Sequence, residues 1–373
     1  MHIEKLYPEC KDYIWGGEKL KEKYGKRTDK TPCAESWELS FHKDGKTRLA
    51  SGKTLEACAS KEELGKNVES FPFFPMLIKF IDAQENLSVQ VHPSDSYALK
   101  NENSFGKTEM WYIVEAEEGA GIYLGLKNQA TKESFQKAIE EKKLTELLNF
   151  YKVQAGECYF IPSGTIHAIG AGCLICEIQQ NSNLTYRVYD YGRVGKDGKE
   201  RELHVEKALK VTNLSPFKPL KTGLVCGEGE LLGVSKYFTV HKLSVDGKRT
   251  LATDGGTFQC VTCVAGCGEI DGQAMCAGES FFVPANFGEF TVSGRCTLVI
   301  AQVRAYKAEY FGDGESWARC QIVDDLGRVL IETEKRFRYS KTSYKDKVRA
   351  CVKELLKKVG MTVCDLVGYD ETR

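Results

Sequence analysis

From Phe74 to Tyr191 the chain is a succession of short apolar segments: MLIKFIDA, LSVQVHP, EMWYIVEAE, GAGIYLGL, CYFIPSGTIHAI, CLICEIQQ and TYRVYDY. Gly, Asn and Asp turns separate them, and this punctuation constrains the fold more than any other feature. Successive side chains of a strand point to opposite faces, and many short strands joined by turns close into a sandwich or barrel. Leu224 to Val303 repeats the style in KYFTVHKLSVDG, TFQCVTCVAGCGEIDG, ESFFVPANFGEFTVSG and RCTLVIAQV. The phrase GESFFVPANFGEFTV echoes GECYFIPSGTIHAI, which predicts a duplicated β-barrel unit. Overlaid without gaps, the phrases put Glu289 where the first copy has His167, so the second copy is expected to lack the first one's chemistry.

The flanking segments fill in the plan. WGGEKLKEKYG reads as a turn and a short helix, and CAESWELSFHKDG as a strand closed by an Asp-Gly turn. Ser60 and Glu63 have capping-box spacing at the start of a further short helix. A helical run from Thr131 to Phe150 is capped by Thr131, with Phe135, Ala138, Leu144 and Leu147 on its apolar side. Beyond residue 305 a hairpin turns near Asp325 to Gly327. A helix then presents Val348, Val352, Leu355 and Leu356, with Cys351 at the border of the stripe, and MTVCDLVGYD reads as a last strand. The expected fold class is all-β: two β-barrels with short helices, which the family resemblance given below makes cupin-type jelly rolls, plus a small C-terminal α+β extension. The expected units are residues 1–215 with the helical insert, 216–304, and 305–373.

Composition excludes several function classes. Lys+Arg and Asp+Glu are equal at 52 each, and no basic stripe invites nucleic acid or an anionic membrane surface. The N-terminus lacks a signal-peptide pattern, and no apolar run reaches bilayer-spanning length, so a cytoplasmic location is expected. The oligomeric state, monomer or weak dimer, is not fixed by these features. Fifteen Cys, an odd number without an export signal, argue against a disulfide scaffold. Cys173 and Cys176, and Cys260, Cys263 and Cys267, have spacings that could serve a metal, but buried small hydrophobes is the simpler reading. Strand parity puts Cys260 and Cys263 on opposite faces.

Six His are present, and each can be weighed. In LSVQVHP, Gln90 and His92 share a face opposite Val89 and Val91; they are either a solvated exterior or ligands lining a barrel. In GKTEMWYIV, Lys107 and Glu109 share strand parity, either as a surface ion pair or as an inward cation and carboxylate. His167 lies in an apolar strand after a Pro-Ser-Gly turn, and a buried imidazole needs partners for both nitrogens. Neutral imidazoles, a carboxylate and an amide oxygen suit zinc or another first-row divalent ion. Arg187, between Tyr186 and Val188, would be costly inward unless it met an anion. His2 and His42 read as surface residues, His204 as structural, and His241 as without a role.

These phrases carry a resemblance. WGG at Trp15 to Gly17, ESWELS, PMLIKFIDAQENLSVQVHP, GKTEMWYI, IPSGTIHAIGAG, EIQQNSNLTYRVYDYGR and RELHVEKAL occur in order over roughly residues 1–303. The chain resembles the type I mannose-6-phosphate isomerases (phosphomannose isomerases), in their shorter bacterial form, members of the cupin superfamily. The resemblance implies cupin barrels and one zinc ion per chain held by Gln90, His92, Glu109 and His167. It implies catalytic or substrate-contacting roles for Arg187, Lys107 and Glu177, with Ser88 near the phosphate of the sugar. It also implies interconversion of mannose 6-phosphate and fructose 6-phosphate through an enediol. Glu177 is assigned as proton carrier, a role that needs burial or like charge to raise its pKa. Residues beyond 305 lie outside the resemblance. The alternatives are a sugar-binding or regulatory cupin without activity, an iron-dependent cupin oxygenase, and a structural β-protein with incidental His.

Overall fold

The strands Met76–Ala83 and Cys173–Gln180 are buried at every position, although the first carries Lys79 and Asp82 and the second Glu177. A strand with one wet face would alternate; continuous burial means both faces are covered. The computed structural model, which describes residues 1–195, 198–219, 224–226, 229–337, 342–361 and 365–367, shows why. The two strands are central in a six-stranded antiparallel sheet whose order is Glu9–Lys11, Glu35–Leu39, Met76–Ala83, Cys173–Gln180, Glu109–Ala116, Cys158–Ile161.

One face of this sheet packs Ile81, Trp111, Ile113 and Ile175 against Ile122, Leu124 and Ile169 of a five-stranded sheet. That sheet has the order Tyr186–Tyr189, Val89–Val91, His167–Ile169, Gly121–Leu126, Leu148–Lys152. The opposite face packs Ile78, Phe80, Met110, Tyr112, Cys176 and Ile178 against Val240, Cys260, Phe282 and Val299 of an eight-stranded sheet. Fully burying one such side chain contributes roughly 1.5–3 kcal/mol, so the second face holds the two halves together through ordinary core packing.

The eight-stranded sheet is built on Thr239–Thr253 and Gly288–Gln302, paired along their whole length. Its other face encloses Val261, Cys263, Phe281, Val283, Leu298 and Ile300. Cys260 and Cys263 thus lie in different clusters, as period-two parity requires. Glu289, the counterpart of His167, is exposed and opposite Ala252. The strand Glu4–Lys5 joins this sheet beside Ser280–Val283, although its residues are far from it in sequence. Cys267 is a correction: instead of a buried thiol it forms a disulfide with Cys276, its cross-strand neighbour. The sequence phrase gave no sign of that partner, because the pairing depends on how the hairpin registers.

Among the helices, Lys132–Glu140 is capped by Thr131 and buries Phe135 and Ile139, and the Ser60–Glu63 capping box is formed. The helical run expected to reach Phe150 stops earlier. Lys142 takes a left-handed conformation (φ 59°), a short helix Leu144–Leu147 follows, and Leu148–Lys152 becomes a strand beside Gly121–Leu126. The C-terminal region forms the three-stranded sheet Tyr306–Gly312, Trp317–Asp324, Val329–Arg336 and the helix Tyr344–Lys358. Val348, Cys351, Val352, Leu355 and Leu356 of the helix pack on Ala318, Cys320 and Ile322, and on Leu231 and Val234 of the eight-stranded sheet. Much of MTVCDLVGYD lies outside the described residues; Leu366 makes a parallel bridge to Tyr306. Among the described residues no helix is long and apolar enough to cross a membrane.

Candidate active site

Three side chains fall on one rung of the five-stranded sheet. Arg187 registers with Gln90, and Gln90 with His167, so the three lie side by side across adjacent strands. On the facing six-stranded sheet Glu109 registers with Gln179, and Glu177 with both Lys79 and Trp111. His167 and Glu109 meet across the interior, Nε2 to Oε1 at 3.2 Å. His92, just past the end of Val89–Val91, brings its Nε2 to 3.6 Å from Glu109 Oε2.

The tautomers follow from the hydrogen bonds. His92 Nδ1 lies 2.8 Å from the Leu184 carbonyl and His167 Nδ1 2.8 Å from the Thr165 carbonyl. A carbonyl only accepts, so both Nδ1 atoms carry the proton and both Nε2 lone pairs turn toward Glu109. Glu109 is fully buried, and among the described residues its Oε1 has no hydrogen-bond donor. Burial, with the charge of Lys107 adding to it, keeps the His92 imidazole well below its ordinary pKa, and His167 is pushed down to about 4 by the same causes. Two neutral imidazoles with carbonyl acceptors behind them and an undonated carboxylate oxygen, within 4.8 Å of one another, are a donor set that could hold a metal ion. These residues fit a metal. Gln90 stands next to them, its amide nitrogen 3.5 Å from His167 Nε2.

A lattice of charge lies beside this cluster. Lys107 Nζ is 2.6 Å from Glu109 Oε2, 3.2 Å from His92 Nε2 and 3.8 Å from Glu177 Oε1. Lys107 precedes the strand Glu109–Ala116, so its inward direction comes from the loop and not from strand parity. Lys79, almost wholly buried, lies 3.0 Å from Glu177 and 3.5 Å from Glu35. Trp111 Nε1 donates to Glu177 Oε1 at 2.8 Å. Burial alone would raise the Glu177 carboxyl, but Lys107, Lys79 and the Trp111 hydrogen bond outweigh it and hold Glu177 well below the usual carboxylate range. Burial moves the carboxyl of the neighbouring Glu109 the other way, upward, against the charge of the Lys107 that the two share.

Beyond Gln90 and Lys107 opens a cavity of about 270 Å³. Ser88 and Arg187 line it, Arg187 Nε donating to Ser88 Oγ at 3.2 Å. Arg201, bidentate on Asp190 at 2.6 Å through both of its contacts, and His204 complete that wall. The structure therefore brings together Ser88, Gln90, His92, Lys107, Glu109, His167, Glu177 and Arg187. Sequence reasoning missed Lys79, Glu35 and Arg201, and read His204 as structural only. Lys79 had a signal, a lone cation in a strand otherwise apolar but for Asp82, whereas Arg201 lies in a stretch without periodicity and reaches the cavity only through the fold.

Comparisons with known proteins bear on this geometry. Residues 3–121 match a family described as phosphomannose isomerase type I, catalytic domain, and residues 228–303 match mannose-6-phosphate isomerase, cupin domain. A probable mannose-6-phosphate isomerase of Bacillus subtilis is 37% identical over 312 residues, covering 79% of this chain and 98% of the relative. The chain belongs to the type I phosphomannose isomerase family. A mannose-6-phosphate isomerase of Streptococcus mutans is 35% identical, covering 77% of this chain and 93% of its own. The crystal structure of the Bacillus subtilis mannose 6-phosphate isomerase superposes with TM-score 0.74 at 33% identity, over 81% of this chain and 99% of that one. The apo Salmonella typhimurium enzyme, at 17% identity and TM-score 0.67 over 81% of this chain and 99% of its own, shares the fold. The mainly β architecture expected from the strand pattern, and the cupin type implied by the family resemblance, agree with these matches.

Proposed function

We propose that this chain interconverts D-mannose 6-phosphate and D-fructose 6-phosphate. The observation that carries the reading is the buried His92–Glu109–His167 group, with an undonated carboxylate oxygen, set behind a cationic cavity. Gln90, His92, Glu109 and His167 would hold one zinc ion, which when bound supplies a Lewis acid for sugar oxygens. Aldose–ketose isomerisation moves a proton from C2 to C1, or the reverse, and places negative charge on the oxygens of an enediol. Lys107 and Arg187 are the cations placed to donate toward that charge. Ser88, next to Arg187, is proposed to contact the phosphate, with the paired Arg201 adding positive potential to the same wall. Glu177 is proposed to hold Lys79 and Lys107 in place as a fixed counter-charge. An amide at Gln90 keeps the site less negative than a second carboxylate would, which favours an anionic substrate.

The five- and six-stranded sheets are read as the catalytic cupin barrel of residues 1–215 and the eight-stranded sheet as a second, non-catalytic barrel of residues 216–304. Residues 305–373 form an extension. Exposed Glu289 in the second unit supports that division of labour. The test is a coupled assay of fructose 6-phosphate conversion on purified protein, with and without a chelator. Turnover that disappears with chelator and returns with zinc is expected. No turnover from metal-loaded protein would leave sugar-phosphate binding as the function.

A further inference from the structure

Lys107 is carried by a loop, so something outside the strand must hold its backbone. The three consecutive amides Gly106, Lys107 and Thr108 are all spoken for. Gly106 N donates to Asp95 Oδ1 at 2.8 Å, Lys107 N to the Pro93 carbonyl at 3.1 Å, and Thr108 N to Gln180 Oε1 at 2.7 Å. Gln180 closes the ring, its Nε2 donating to the same Asp95 Oδ1 at 2.8 Å. Asp95 is thus tied to the segments on both sides of Lys107, and it lies three residues after His92. Its other oxygen, Oδ2, accepts from the Tyr237 hydroxyl and sits 3.5 Å from Lys236 Nζ. Those two residues belong to the segment that matches the separate cupin-domain family. The fit is close: a Cβ on Gly106 would lie 2.5 Å from the Pro93 carbonyl oxygen and 2.6 Å from Asp95 N.

We propose that Asp95 is a positioning residue that fixes the Lys107 loop against the metal-binding cluster, and that Tyr237 locks it from the second unit. An ionised carboxylate accepting several N–H and O–H bonds has a fixed orientation and strong, charge-assisted contacts. Its loss frees the Gly106 amide and the Gln180 amide together, and the ammonium at the end of the Lys107 side chain loses its registration. Outer supports of this kind typically change activity by about 10–100-fold. The inference rests on the reading of Lys107 as a donor to charge developing in isomerisation.

The experiment measures kcat, KM and bound zinc for the full chain and for Asp95→Ala, Asp95→Asn and Tyr237→Phe in the fructose 6-phosphate assay. Asp95→Ala is expected to lower kcat about 10–100-fold, with KM and zinc content little changed. Asp95→Asn should recover most of that loss, since its carbonyl oxygen still accepts from Gly106 and Gln180 and its amide can meet the Tyr237 oxygen. Tyr237→Phe should fall between the unmodified protein and Asp95→Ala, and it decides the matter if Asp95→Ala does not fold. Unchanged kcat in Asp95→Ala or, failing that, in Tyr237→Phe overturns the proposal. A loss that tracks zinc content also overturns it, because Asp95 would then be serving His92. An inactive unmodified protein refutes the isomerase reading instead, and with it the premise of this one.

Discussion

Lys79 shows how much one residue can decide at this site. It occupies an apolar strand, almost wholly buried, between the carboxylates of Glu177 and Glu35. Trp111 and Trp37 wall the same region, Trp37 Nε1 donating to Glu35 at 2.7 Å and Trp111 Nε1 to Glu177. Removing one partner of a buried pair leaves the other charge without compensation, at a cost of about 3–5 kcal/mol. Lys79→Met is therefore expected to lower the unfolding free energy by about that amount, read from denaturant melts. Adding Glu35→Gln should recover part of it, since neighbours in one network couple. A change within the error of the melt would show that Lys107 alone neutralises Glu177. Parity in LSVQVHP was legible from residues alone, because period two is local. The downward pull on the Glu177 carboxyl was not, because it depends on Lys107 from a loop and Lys79 from another strand.

The Trp15–Gly16–Gly17 turn acts at the scale of an element. Tyr13 and Trp15 line the cavity, and the turn between Tyr13 and Gly16 is closed by a 3.0 Å hydrogen bond. A Cβ on Gly16 would stand 2.2 Å from Ala34 Cβ and 2.5 Å from its Cα. Neither contact is a flexible side-chain end, so the turn must move away from the strand Glu35–Leu39. Gly16→Ala is expected to cost about 1–3 kcal/mol, as overpacking does, and to raise KM for the sugar phosphate as the Tyr13–Trp15 wall shifts. Thermal unfolding and steady-state kinetics check both halves, and a variant indistinguishable in both would show that the turn has slack. The sequence marked this turn as a turn, but the reason for glycine lies in Ala34, a residue on the adjoining segment.

At the scale of the whole molecule, Arg304 ties separate parts together. It is 3% exposed and meets Asp254 at 2.7 Å and Asp325 at 3.2 Å. Asn67 adds bonds to Asp325 and to the Val303 carbonyl. Burial works to raise the Asp254 carboxyl, and Arg304 outweighs it and holds the folded-state pKa below the ordinary 3.8. A group depressed in the folded state stabilises fully above its unfolded pKa, and that contribution fades as pH falls through the lower folded value. Stability should therefore decline on acidification below about pH 4, and Asp254→Asn should make that acid limb shallower while lowering stability at neutral pH. Urea melts across the acid range measure it; parallel pH profiles for the two proteins would remove Asp254 from the account.

What the sequence determined by itself was local. Period-two alternation placed Gln90 with His92, turn residues set strand lengths, the Ser60 and Thr131 caps marked helix starts, and an ordered set of phrases identified the family. Tertiary structure decided what depends on neighbours far along the chain. The direction of Lys107 comes from Asp95, Gln180 and Pro93 and not from strand parity, and Cys267 finds Cys276 through hairpin register. Arg201 and His204 enter the cavity only when their loop folds over it, and the Glu177 carboxyl is held low because buried cations converge on it. Periodicity is a property of the backbone within one segment. Burial and electrostatic potential are sums over everything nearby, and no single segment contains them.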